Sequence, residues 1–173
     1  SPDPSSSRCV TMILWVDFET RSACDLTVAG VYNYAQDAST DVLCMSYAFD
    51  DEEVVTWTPG QQFPERVKNH KGLIYAHNAA FERLIFWYVL LADFKLEQFY
   101  CTASQARANC APGSLEDAGR FAGASMKKDH RGSQLIRLRC VPPFREDAAL
   151  MAEMVAYCEQ DVRAMRSISK ALR

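Results

Sequence analysis

Met12-Ile13-Leu14-Trp15-Val16-Asp17-Phe18-Glu19-Thr20 is the stretch that decides how this chain reads. Its first five residues are apolar, and the β-branched and aromatic ones among them suit a pleated surface, so a buried strand is expected. Alternate side chains of a strand share a face, which points Asp17 and Glu19 the same way at its end. Two carboxylates a few ångströms apart repel and raise each other's pKa unless a cation neutralises them. A divalent ion held by oxygen ligands would resolve that conflict. Two solvated acids at a surface turn would also resolve it, and D-x-E alone does not choose between these readings.

Around this stretch lie 173 residues, 49% hydrophobic and 24% charged, enough for one domain with a real core. Residues 1–10 read as a flexible tail, since Ser1 to Ser7 hold two prolines and four serines; the domain is expected over 11–173. The longest apolar run, Leu84 to Ala92, is too short to span a bilayer, and no charged segment followed by an apolar one opens the chain as a signal peptide would. No membrane association is expected. The seven cysteines form no C-x-x-C pair and no Cys/His cluster of zinc spacing, which fits reduced, buried thiols of a cytosolic protein. A net charge of −3 argues against holding nucleic acid by global charge. The charge is uneven, however: Arg120 to Arg145 carries seven Lys/Arg against Asp129 alone, +6 in a body of −9. A basic stretch beside acids suits a polyanion held next to a metal site, although a short basic run is as often a solvated surface.

In chain order, Gly30 marks a turn within a mixed stretch. Asp41 to Phe49 and Glu53 to Trp57 flank Asp50-Asp51 as a hairpin, and Phe63 to Asn69 is a short amphipathic helix. Leu73 to His77 reads as a strand and Asn78 as the N-cap of a helix with an apolar stripe at Phe81, Leu84, Ile85, Tyr88 and Leu91. Glu82 then lies in the first turn, where the helix dipole favours its ionised form. Phe99 to Ala108 is a strand running into a helix, and Ser114 caps another that ends at Phe121. Ala122 to Pro143 lacks periodicity and reads as a long, functional loop. The last helix, Glu146 to Leu172, places Tyr157 and Asp161 one turn apart on one face. His77, between a strand and a helix start, suits a structural hydrogen bond better than catalysis, and Cys158 reads as a packed small residue.

Acids thus stand in three separated places, the arrangement that two-metal displacement at phosphorus requires. The residues resemble the three motifs of the DEDD 3′→5′ exonucleases: Asp17-Phe18-Glu19-Thr20, His77-Asn78-Ala79-Ala80-Phe81-Glu82, and Tyr157-Cys158-Glu159-Gln160-Asp161. The Tyr-x-x-x-Asp spacing marks the tyrosine subclass, because the histidine subclass carries His where this chain has Ala156. Gly30-Val31-Tyr32-Asn33-Tyr34, Ser46-Tyr47-Ala48-Phe49-Asp50, Pro112-Gly113-Ser114-Leu115 and the run from Lys128-Asp129 to Gly132 extend the resemblance to the proofreading domains of phage-type family A DNA polymerases.

That resemblance implies a ribonuclease H-like α/β fold (the DnaQ-like exonuclease fold), a mixed five-stranded sheet flanked by helices. It implies two divalent ions, Mg²⁺ or Mn²⁺, with Asp17 bridging both, Glu19 and Asp161 completing the inner one and Glu82 serving the outer one. Tyr157 would orient the attacking water, and Thr20 and Asn78 would contact the terminal nucleotide, with Phe81 either joining them or belonging to the core. The implied partners are single-stranded DNA or frayed 3′ ends and a polymerase domain in the same or a separate chain, and the implied compartment is the cytoplasm of a bacterial or phage-infected cell. The wider superfamily places Asp where this chain has Glu82, so a weakly held outer ion and tolerance of Mn²⁺ are expected. Two other readings stand beside this one: a non-catalytic nucleic-acid-binding module on the same fold, and an exoribonuclease. A metabolic enzyme lacks support, since no dinucleotide fingerprint, P-loop or nucleophile elbow occurs.

Overall fold

A computed structural model describes residues 11–123 and 130–172. The expected tail over 1–10, and the Lys127, Lys128 and Asp129 part of the basic stretch, lie outside them. The elements run β1 (Ile13–Arg21), α1 (Leu26–Gln36), β2 (Asp41–Phe49), β3 (Val55–Trp57), α2 (Glu65–Lys68), β4 (Leu73–Ala76), α3 (Ala80–Leu84), β5 (Phe99–Cys101), α4 (Thr102–Ala108), α5 (Leu115–Phe121), α6 (His130–Arg139) and α7 (Ala148–Ala171). The strands form one sheet in the order β3-β2-β1-β4-β5. β1 runs parallel to β4, and β4 to β5, whereas β2 is antiparallel to both β1 and β3. This is the mixed, helix-flanked five-stranded α/β sheet that the resemblance implies.

β1 is central because its side chains serve both faces. Leu14, Val16 and Phe18 enter a core with Tyr34 of α1, Met45 and Phe49 of β2, and Ile85 and Phe86 beyond α3. Trp15 faces the other way, packed with Tyr75, Val162 and Met165. α7 lies along that second face. Its Leu150, Met154, Cys158, Val162, Met165 and Ile168 are buried at helical spacing, and its N-terminus is capped by Asp147, which accepts from the Ala149 and Leu150 amides.

Several boundaries differ from the expectations. β1 continues four residues past Asp17, so the acids are members of a strand rather than its end. Gly30 bends α1 with φ 77° and ψ 165°, a conformation that only glycine enters freely. The helix expected from Asn78 starts at Ala80 instead: Asn78 has φ 68° in the preceding turn, and its carbonyl accepts from the Phe81 amide. After Leu84 the helix widens into a π-helix over Ile85–Val89, and Leu91 falls at φ 54°, 83% exposed rather than on the apolar stripe. Ala122 to Pro143 is not one loop, since α6 occupies His130–Arg139. Its sequence, polar and carrying Gly132, has little helix periodicity, but Leu135 inserts among Leu150, Met154 and Cys158, and this tertiary contact overrides weak local propensity. No helix among the described residues is long and apolar enough to cross a membrane.

Candidate functional site

Asp17 and Glu19 lie on the β1 face that looks toward α7. They pair in register with Ser46 and Cys44 of β2, and directly after Glu19 the register slips, leaving Leu43 as an extra residue opposite the Glu19–Thr20 step. Such a bulge re-aims neighbouring side chains. Glu19 is nearly buried, at 9% exposure. Burial first, then the charge of Asp161, pushes the Asp17 carboxyl up to about 8, against a lowering by its bond from Cys158. Glu19 is held well above the usual carboxylate range by burial and by Asp17, Cys44, Asp161 and Glu82.

α7 brings Tyr157, Cys158 and Asp161 into play. The Tyr157 phenol lies beside the Asp161 carboxyl one helical turn on, as their spacing allows. Burial, with Asp161, Glu19 and Asp17 around it, pushes the phenol further above its ordinary pKa, so it is fully protonated at neutral pH. Between them Cys158 turns inward, wholly buried, and its thiol donates to the Asp17 carbonyl at 3.4 Å and to Asp17 Oδ2 at 3.3 Å. Burial raises this thiol too, so it is a packed donor and not a nucleophile.

α3 supplies the fourth acid. Glu82 is 2% exposed, and its Oε2 has no hydrogen-bond partner among the described residues. The expected help from a helix dipole is outweighed, because α3 is five residues long, whereas burial and the facing charge of Asp17 hold the Glu82 carboxyl well above its usual range. Asp17, Glu19, Glu82, Tyr157 and Asp161 therefore converge from three remote stretches.

Beside Glu19 opens a cleft of about 580 Å³ lined by Thr20, Tyr34, Phe81, Ile136, Cys140 and their neighbours. Thr20 is buried and its hydroxyl is bonded to that of Tyr34 at 2.8 Å. Phe81 packs against the core beside Tyr34 and also lines the cleft. Asn78 is exposed and is not among the cleft's lining residues. Tyr34 belongs to the 30–34 run of the resemblance, but its bond to Thr20 arises only through the packing of α1 on β1. His77 is structural, with its two ring nitrogens bonded to Thr102 Oγ1 at 3.0 Å and to the Gly113 carbonyl at 2.8 Å. Part of the basic stretch is committed within the protein: Arg120 pairs with Glu116, Arg131 with Glu153, and the buried Arg139 with Glu146.

Buried acids at raised pKa with one orphaned oxygen form an incomplete structure. They match the needs of a hard divalent cation, which would return the lost solvation and neutralise the charge. Donor atoms of Asp17, Glu19 and Cys158 lie within 4.8 Å of one another, and the orphaned Glu82 oxygen belongs to a carboxylate that feels Asp17. These residues could hold such an ion.

The DNA polymerase of Bacillus phage SP02 is 31% identical to this chain over 182 aligned residues. The alignment covers 92% of this chain and 28% of that polymerase. No protein-family model matches the chain. The chain is therefore related in sequence to a stretch of a phage DNA polymerase, and it spans little more than a quarter of that relative's length.

Proposed function

We propose that this chain is a 3′→5′ exonuclease of the tyrosine DEDD type that removes nucleoside 5′-monophosphates from DNA 3′ ends, as a proofreading domain does in DNA replication. The observation that carries the reading is the convergence of Asp17, Glu19, Glu82, Tyr157 and Asp161 around β1, with buried acids that are unfavourable without cations. The sequence relationship to a phage DNA polymerase supports it.

In this reading Asp17, Glu19 and Asp161 hold one Mg²⁺ or Mn²⁺, and Asp17 with Glu82 holds the second. When bound, such ions lower the pKa of a water and stabilise charge on the scissile phosphate. The chain's own residues do the rest. Tyr157 remains a phenol at neutral pH, so it orients the attacking water by hydrogen bonding and does not act as a strong base. Asp161 stands beside the phenol, and Cys158 fixes one oxygen of Asp17. The cleft next to Glu19 receives the terminal nucleoside, with Thr20 and Phe81 in contact and Asn78 at its approach. Its wall is mainly apolar among the described residues, which suits a nuclease that must accept every base.

Digestion of 5′-labelled and 3′-labelled single-stranded DNA with Mg²⁺, Mn²⁺ or EDTA tests this. The expected result is a 5′-labelled ladder shortening by single nucleotides, with labelled mononucleotide released from the 3′ label. Both signals should be absent in EDTA and in Asp17→Ala. A matched RNA oligomer in the same assay separates DNase from RNase activity. Binding of DNA without metal-dependent cleavage by folded protein would replace this reading with the binding module.

A further inference from the structure

Gly132 of α6 is one of the few buried glycines, and what it touches is Tyr157. A Cβ placed on it would lie 2.6 Å from Tyr157 Cε2, 2.9 Å from Cζ and 3.2 Å from the hydroxyl oxygen. Carbon atoms in contact prefer about 3.5–4.0 Å, so any larger residue requires the ring to retreat by about 1 Å. Glycine is the poorest helix former after proline, so its place inside a ten-residue helix calls for a reason, and local propensity supplies none. The neighbouring residues show that the approach is built. Arg131 grips Glu153 of α7 through two bonds of 2.5 and 2.8 Å, and Leu135, one turn further on, is buried against Leu150, Met154 and Cys158. α6 is thus anchored on both sides of Gly132, with no room for a Cβ between its backbone and the phenol.

We propose that Gly132 is a positioning residue for Tyr157: the absent side chain lets α6 approach the ring closely, which holds the phenol hydroxyl beside Asp161 and toward the reacting phosphate. The proposal rests on the exonuclease reading. Its consequence is that the precision of the site is set in part by a helix that contributes no acid and no contact to the ions. Misplacement of a reacting group by about 1 Å costs on the order of 100-fold in rate, whereas nothing in the contact bears on how DNA is bound.

The test is a pair of double-mutant cycles. Gly132→Ala is expected to lower kcat for single-stranded DNA by about 10- to 100-fold with KM nearly unchanged. Tyr157→Phe, which removes the hydroxyl and keeps the ring, lowers kcat by itself, and adding Gly132→Ala to it should cost little more. A full Gly132→Ala loss in the Tyr157→Phe background overturns the proposal, as does full activity of folded Gly132→Ala. The second cycle reads melting temperature. The cost of Gly132→Ala should shrink in a Tyr157→Ala background, where the ring is gone, and an equal cost in both backgrounds overturns the contact even if the single variant is too unstable for kinetics. If the unsubstituted chain shows no metal-dependent cleavage, the exonuclease reading fails and takes the catalytic role with it. A Gly132→Ala defect that persists without the Tyr157 hydroxyl removes only the role given to Gly132.

Discussion

Metal-free protein should lose stability as pH rises from 6.5 to 8.0. Asp17 titrates near 3.8 when solvated and at about 8 in the folded chain. Between those values the folded state keeps a proton that the unfolded state has released, so each pH unit lowers the unfolding free energy, by up to about 1.4 kcal/mol for one group. Over 1.5 units Asp17 accounts for up to about 2 kcal/mol, or about 4–8 °C in Tm for a domain of this size. Glu19 and Glu82 shift in the same direction, but the three acids repel one another and their effects are not summed. The window avoids most opposing groups; the exception is the Cys101 thiol, which burial raises but hydrogen bonds bring below its ordinary pKa, so that it opposes the fall toward the upper end. Burial lowers the pKa of His70 and His77, which makes stability rise with pH up to about 6.5. The carboxylates lowered by surface partners, such as Glu52 and Glu146, lose their contribution only in acid. Thermal melts in EDTA should therefore give a falling Tm across the window, and Asp17→Asn should flatten the slope and raise Tm at pH 8. Added Mg²⁺ or Mn²⁺ should restore the lost stability at pH 8, by about 2.7 kcal/mol at a hundred times the dissociation constant, and should do less at pH 6.5. A Tm that stays level or rises in EDTA, or a metal response that is the same at both pH values, would refute the argument that these acids are paired with cations.

Glu82→Asp draws the carboxylate back by over 1 Å (roughly one methylene,), and the metal-concentration dependence of cleavage should shift, most visibly in the Mg²⁺ to Mn²⁺ ratio; an unchanged dependence would remove Glu82 from the outer site. His77→Ala leaves the Gly113 carbonyl and the Thr102 hydroxyl short of a partner, so a loss of about 2–4 kcal/mol is expected with turnover per folded molecule little changed. A large loss of turnover without loss of Tm would instead make His77 catalytic. Tyr34→Phe removes the bond to Thr20. It should cost about 1 kcal/mol in chemical denaturation and raise KM for DNA, whereas an effect on kcat alone would contradict the place given to Thr20 at the cleft.

Much of the site could be read from the chain because its chemistry is local in each piece. The strand period put Asp17 and Glu19 on one face, and the helix period put Tyr157 beside Asp161, whose charge adds to burial in raising the phenol's pKa in the structure. Ser114 as a cap and the β2–β3 hairpin followed from turn and cap chemistry in the same way. The misreadings come from positions where distant packing outweighs local preference. Asn78 looks like an N-cap but takes a left-handed turn, because the chain must bend between the end of β4 and α3. α6 looks like a loop because its stabilising contacts, Leu135 in the α7 core and Arg131 on Glu153, lie some twenty residues away.

The sequence by itself determined which groups could do the chemistry and the regular elements that carry most of them, since strand and helix periods and side-chain pKa values are properties of neighbours along the chain. Only the tertiary structure decided the strand order, the burial that lifts Asp17 to about 8 and leaves a Glu82 oxygen unpartnered, and the approach of Gly132 to Tyr157. Each of those depends on distances and solvent exclusion between residues remote in sequence, which no local pattern encodes.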